Sequence, residues 1–243
     1  MTDARVTPEA INATEEEINR YVAVCAEFVN HVMPEILVGN YTGQLVRHRD
    51  VVIPALRKAI GPTDTVLDFG CGVGRVTALV ADLATHAVGA DLSSASLSRA
   101  AVIVPNAVFV LLPGDGSLPF PPESFDAVVS TICLQHIQFF PVRHQYVRSF
   151  FRVLRIGGRL LLQLNPNDKG VCTRWFERGT PDGYIAGDVV CDENEIVGYL
   201  TGEGFRVNAT WRTETDSQQV SWERVPRKTE GEWLWVLATK VEA

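Results

Sequence analysis

The chain has 243 residues, 46% of them hydrophobic and 21% charged, and a formal net charge of −7. A chain of this size buries a sizeable core and points to one large α/β domain rather than two. No apolar run approaches the ~18 residues needed to cross a bilayer, and the acidic balance weighs against a broad nucleic-acid surface, which needs clustered Lys and Arg.

Met1 to Ala10 lacks a basic stretch followed by an apolar one, so no secretory signal is expected. The five cysteines, Cys25, Cys71, Cys133, Cys172 and Cys191, are widely spaced without a Cys-x-x-Cys pair. Reduced thiols in a cytoplasmic protein are expected, with no metal site and no membrane.

Thr14 to Met33 reads as a helix opened by a Thr14–Glu17 capping box. Its apolar residues Ile18, Val22, Cys25, Val29 and Val32 recur at steps of three and four, and Pro34 ends it. A polar bend over Gly39 to Gly43 leads to a second helix, Val51 to Ile60, stopped by Gly61-Pro62. The basic residues between Arg47 and Lys58 are expected on a solvated helix face.

The pattern then becomes a succession of strands and helices, as in repeated βαβ units. The apolar runs predict strands over Thr65–Asp68, Ala87–Asp91, Ala107–Leu111, Phe125–Thr131 and Arg159–Leu164. Helices are predicted over Arg75–Leu83, Ser94–Val102 and Val142–Leu154. Asp192 and Glu195 form a capping box for a helix to Thr201, and strands near Arg206–Thr213 and Trp233–Lys240 close the sheet as an antiparallel pair. Two long irregular stretches remain, Asn165–Cys191 and Thr215–Glu232, and connections of that length are usually functional or disordered.

The central stretch is Val66-Leu67-Asp68-Phe69-Gly70-Cys71-Gly72-Val73-Gly74-Arg75. A strand running through alternating glycines into a helix lets the backbone N–H groups approach a ligand closely. A dinucleotide fingerprint, G-x-G-x-x-G, would have glycine where Arg75 stands. A carboxylate, Asp68, precedes the glycines, and a second, Asp91, ends the next strand.

These residues resemble the first motif of the class I S-adenosylmethionine-dependent methyltransferases. The resemblance continues in order through VGADLS around Asp91, GDGSLPF at Gly114–Phe120, FDAVVS at Phe125–Ser130 and LRIGGRLLL at Leu154–Leu162, covering about residues 60–165. It implies a Rossmann-like, seven-stranded, mostly parallel sheet with an antiparallel C-terminal strand and flanking helices. An N-terminal helical cap over residues 1–60 would join a cofactor domain over 61–243 as one structural unit. It also implies S-adenosylmethionine as cofactor. Asp68, Gly70, Cys71, Gly72 and Gly74 would lie by its methionine part, Asp91 at both ribose hydroxyls, Leu92 on the adenine face, Asp115 at the exocyclic amine and Gly116 at the ring edge.

Methyl transfer is an in-line displacement in which alignment supplies much of the acceleration. An oxygen or acidic-carbon acceptor also needs a base. Sites in open α/β sheets lie at the carboxyl ends of the strands, which brings in the segment after the fourth strand. His136 there is the candidate base, since an unperturbed imidazole titrates near ~6.5; the alternative is a pocket-shaping residue. Arg47 is a candidate partner for the cofactor carboxylate or a surface residue, with Tyr41 and His48 in the same segment. Arg174, Trp175, Phe176 and Tyr184 would line an acceptor pocket or anchor their loop. Trp211, Trp222, Trp233 and Trp235 read as strand and core residues.

The expected activity is methyl transfer to O, N or C of a small-molecule acceptor, in an oligomeric state that the sequence leaves open. The alternatives are a nicotinamide-dependent Rossmann oxidoreductase, disfavoured by Arg75 and the antiparallel ending, and a non-catalytic cofactor-binding scaffold. Ser130-Thr131-Ile132-Cys133 stands where nucleic-acid amino-methylases carry an Asn-Pro-Pro-Tyr-like tetrapeptide, so no nucleic-acid partner is expected.

Overall fold

The computed structural model describes residues 6–31, 41–166, 173–182, 189–215 and 231–242. Predictions resting on Pro34, Gly39, Cys172, Tyr184 and Trp222, and on the side chains of Tyr41, Arg47 and His48, fall outside the described parts.

Helices α1 (Pro8–Ile11), α2 (Glu15–His31) and α3 (Tyr41–Ala59) precede the first strand. In the α2 capping box, Glu17 N donates to Thr14 Oγ1 and Thr14 N donates to Glu17 Oε2, satisfying donors that a bare helix end would leave open. The bend predicted through Gly43 is not formed there: α3 begins at Tyr41 and continues through Pro54.

The core alternates β1 (Thr65–Phe69), α4 (Arg75–Leu83), β2 (His86–Asp91), α5 (Ser94–Ile103), β3 (Val108–Leu111), β4 (Phe125–Thr131), α6 (Phe140–Val153) and β5 (Leu154–Leu164). A short 3₁₀ turn, Leu134–His136, separates β4 from α6. After it come β6 (Thr173–Arg174), β7 (Val189–Val190), α7 (Glu193–Gly202), β8 (Phe205–Thr215) and β9 (Gly231–Lys240). The main sheet has the order β3-β2-β1-β4-β5-β9-β8. Its first five strands are parallel, and β9 runs antiparallel to both neighbours. This is the seven-stranded, mostly parallel sheet with an antiparallel C-terminal strand that the sequence predicts.

β5 starts at Leu154, five residues earlier than predicted from Arg159. The register passes from Phe125–Leu154 to Ala127–Arg159, so Gly157-Gly158 forms a bulge inside the strand rather than a turn before it. The pair β6–β7 lies within the stretch predicted to be irregular.

Alternation along the strands places apolar side chains on both faces, as a sheet covered by helices requires. On one face, Val66, Ala127, Val129, Leu161 and Trp235 pack against Val52 and Leu56 of α3 and Val76 and Val80 of α4. On the other, Leu67, Phe69, Val128 and Leu162 pack against Tyr146, Val147 and Phe150 of α6 and Tyr199 of α7. Helix α3 thus belongs to the wall of the sheet. No helix among the described residues is long and apolar enough to cross a membrane.

Candidate cofactor and acceptor site

The carboxyl ends of β1, β2 and β4 meet at the glycine loop. Gly70, Gly72 and Gly74 have φ of 72°, 54° and 85°, a left-handed region that side chains with a Cβ adopt only at a cost. A Cβ on Gly70 would lie 2.1 Å from Cys133 Sγ, so the loop and the segment after β4 are in direct contact.

The hydrogen bonding of this loop differs from the sequence expectation. Gly70 N and Cys71 N both donate to Ala90 O, and Gly74 N donates to Cys71 O. Gly72 N donates to Asp91 Oδ2 at 2.8 Å. These four donors are satisfied inside the protein and do not point at a ligand. What the glycines provide is room for close approach rather than a cradle of N–H groups.

The N-terminus of α4 is also filled. Asp68 is 1% exposed and accepts from Thr77 Oγ1 at 2.6 Å and from the Thr77 backbone. A carboxylate from β1 therefore occupies the helix end where a bound phosphate would sit. Burial pushes the Asp68 carboxyl up to about 7, with the Thr77 bonds opposing and Asp91 adding to the rise.

Asp91, at the end of β2, accepts from Ser93 N through Oδ1 and from Gly72 N through Oδ2, each at 2.8 Å. Burial raises its pKa, and the backbone donors hold it back. Its two oxygens offer about four acceptor sites, so room remains for a hydroxyl donor beside the backbone N–H groups of Ser93, Gly72 and Leu92. Asp115 accepts from both the backbone and the hydroxyl of Ser117 through Oδ1 alone. Gly116 has φ of 94°, and Ser149 Oγ donates to its carbonyl from α6.

Leu92 and Gly114 lie against α2, since a Cβ on Gly114 would be 2.9 Å from Leu92 Cδ1 and 3.4 Å from Val22 Cγ1. The structure therefore brings the first turns of α2, the loop after β2 and the loop after β3 to one wall. Val22, Thr77, Cys133 and Ser117 were not predicted as site residues. Only Thr77 left a local signal, a hydroxyl in the first turn of the helix after the glycines; the others arrive by tertiary contact.

His136 ends the 3₁₀ turn, its backbone N–H bonded to Cys133 O. Just before it, Ile132 has φ of 54°, a strained conformation for a β-branched residue. His144 is instead inside α6, with Nδ1 2.8 Å from Tyr199 Oη and a pKa lowered to about 4 by burial. His86 is the exposed first residue of β2.

Trp175 is 1% exposed and anchors its loop. The Arg143 guanidinium, fully buried, lies 5.0 Å from the Trp175 ring and 5.1 Å from that of Phe140. It donates to the carbonyls of Ile137 and Trp175, fixing segment 173–182 to the chain that follows the 3₁₀ turn. Phe176 is half-buried against Phe140 and Tyr199, and Arg174 is exposed. Trp235 is buried and stacks on Trp211. Among the described residues no three His, Cys, Asp or Glu side chains are grouped to hold a metal ion.

Residues 67–162 match the family model described as a methyltransferase domain. This stretch resembles a methyltransferase domain. The domain contains β1 through most of β5, and hence the glycine loop, Asp91, Asp115 and His136. The chain is 34% identical over 110 residues to a ubiquinone/menaquinone biosynthesis C-methyltransferase of Vibrio vulnificus, covering 42% of this chain and 41% of that protein. It is 31% identical over 133 residues to an 18S rRNA (guanine-N(7))-methyltransferase of Bos taurus, covering 51% and 47%. The chain thus spans less than half the length of both. The fold matches magnesium protoporphyrin IX methyltransferase of Synechocystis PCC 6803, solved with bound S-adenosylhomocysteine, with a TM-score of 0.65 at 16% identity, covering 90% of this chain and 99% of that one. The chain therefore shares the Rossmann-like fold of that methyltransferase.

Proposed function

We propose that the protein transfers a methyl group from S-adenosylmethionine to an oxygen, nitrogen or carbon of a small-molecule acceptor. The observation that carries this reading is the carboxylate of Asp68 at the N-terminus of α4. A dinucleotide would bring its pyrophosphate to that end and find the Thr77 donors already taken, whereas a sulfonium amino acid has no phosphate to seat there. Asp91 then accepts from a ribose hydroxyl, Leu92 flanks the adenine, and Asp115 Oδ2 accepts from the exocyclic amine beside Gly116. Gly70, Cys71, Gly72 and Gly74 give the methionine end its close approach.

In the reaction the acceptor's lone pair attacks the methyl carbon in line with the breaking S–C bond, leaving S-adenosylhomocysteine. The sulfonium loses its charge as the bond breaks, so no acid is required. His136, on the turn after β4, is the proposed base for an acceptor that carries a proton. The C-methyltransferase relative and the porphyrin methyltransferase fold support a small-molecule acceptor. The rRNA methyltransferase relative favours a second reading, a nucleic-acid acceptor, against which stands the net charge of −7.

Calorimetric titration with S-adenosylhomocysteine and with NADH tests the cofactor: tight binding of the first alone is expected, and the reverse overturns the reading. A screen for labelled methyl uptake, with small molecules and rRNA as separate arms, tests the acceptor class. His136→Ala is expected to abolish the rise of rate with pH for a protic acceptor; an unchanged profile leaves His136 a pocket residue.

A further inference from the structure

Helix α2 touches two places that the chemistry uses separately. Its middle, at Val22, lies over Leu92 and Gly114 on the proposed adenine wall. The preceding residue, Tyr21, packs on Phe139, with ring centroids 5.5 Å apart, beside the segment after the 3₁₀ turn. Segment 173–182 packs on that same segment: Phe140 N donates to Arg178 O, and a Cβ on Gly179 would lie 2.3 Å from Gln138 O.

Two ion pairs of opposite polarity join α2 to 173–182. Arg178 Nη2 donates to Glu17 Oε1 at 2.8 Å and to Asn12 O at 3.1 Å. Arg20 on the same helix pairs with Asp182. Glu17 therefore has two tasks, with Oε2 held by the Thr14 cap and Oε1 by Arg178. The inner side of 173–182 is fixed by the buried Arg143, whereas the α2 side is fixed by partly exposed ions. The weaker seam is thus the one between α2 and 173–182.

We propose that α2 and segment 173–182 form a single fastened cover over the cofactor, and that the pairs Glu17–Arg178 and Arg20–Asp182 set the rate at which the cofactor enters and leaves. This rests on the cofactor assignment above. The adenine wall cannot be cleared while α2 stays pinned to the acceptor side, so loosening the pins frees the cofactor as well. Neither pair includes a residue assigned to the cofactor. The pins shift the open fraction equally with and without cofactor, and so change both rates and leave the affinity alone.

The test is stopped-flow binding of S-adenosylhomocysteine to the full chain. Arg20→Asp sets two like charges together at an exposed site and is expected to raise association and dissociation rates each about three- to fivefold, with Kd within about twofold. Adding Asp182→Arg to that variant restores the opposite pair and is expected to restore both rates. Glu17→Gln keeps a carbonyl for the Thr14 cap and weakens only the ion pair; the same acceleration is expected. Unchanged rates in Arg20→Asp, or a double variant that stays fast, overturn the proposal while leaving the cofactor assignment intact. A wild-type chain that does not bind S-adenosylhomocysteine overturns both.

Discussion

Thr77 Oγ1 donates a 2.6 Å hydrogen bond to Asp68 Oδ2, tying the first turn of α4 to the end of β1. Burial has raised that carboxyl from 3.8 to about 7, so the folded protein keeps a proton that the unfolded chain releases. The group favours folding below about pH 4, and that contribution is lost as pH rises toward 7. Asp68→Asn stays neutral throughout and is expected to lose less stability than wild type between pH 4 and 7. Thr77→Val removes the hydroxyl donor and is expected to cost about 1–2 kcal/mol. Urea unfolding at a series of pH values measures both effects.

The contact between Gly70 and Cys133 makes a second expectation. Gly70→Ala places a Cβ 2.1 Å from Sγ and 2.5 Å from the Cys133 Cβ, at a φ of 72°. A loss of about 2 kcal/mol or more is expected, from overpacking and backbone strain together. Because the Cβ clash persists, adding Cys133→Ala recovers only part of it. Thermal melts of the single and double variants separate the two causes.

Asp91→Asn keeps one acceptor oxygen and gives up the other. The amide cannot serve both Gly72 N and Ser93 N and still accept a hydroxyl. Its affinity for S-adenosylhomocysteine is expected to fall by about 1–3 kcal/mol. Titration calorimetry reads this directly, and unchanged affinity would remove Asp91 from the ribose site.

Arg143 has a buried charge that donates to the carbonyls of Ile137 and Trp175, with two aromatic rings around it. Arg143→Ala empties the site and strands both carbonyls, at an expected cost of about 3–5 kcal/mol. Arg143→Met keeps the bulk and loses only the donors, for which about 1–3 kcal/mol is expected. Equal stability of the two variants in denaturant would show that volume alone matters there.

The local parts of this fold were legible in the residues. The bounds of α4 and β4 follow from Gly74 before one and the apolar run Phe125–Thr131 in the other, and Asp192 with Glu195 caps α7 as their spacing requires. Where two local signals compete, the reading failed: Gly157-Gly158 reads as a turn and is a bulge, and Gly43 reads as part of a bend but lies inside a helix. Helix α3 keeps its course because its later turns pack on the sheet through Val52 and Leu56, which outweighs a glycine propensity worth about 1 kcal/mol. The site was legible as a list of residues but not as a set of bonds. Nothing in the sequence states that Gly72 N and the α4 end are already taken by Asp91 and Asp68, because those pairings exist only once β2 lies beside β1 and α4 has folded back on β1.

The position of β9 also governs how the molecule is made. Residues 231–240 lie between β5 and β8, and the Lys240 ammonium donates to Leu154 O across the base of the sheet. While a nascent chain still lacks those residues, β5 is an open edge and β8 has no partner. The cofactor crevice at β1, β2 and β4 can therefore assemble during synthesis, but the sheet becomes one cooperative body only after β9 has emerged from the ribosome.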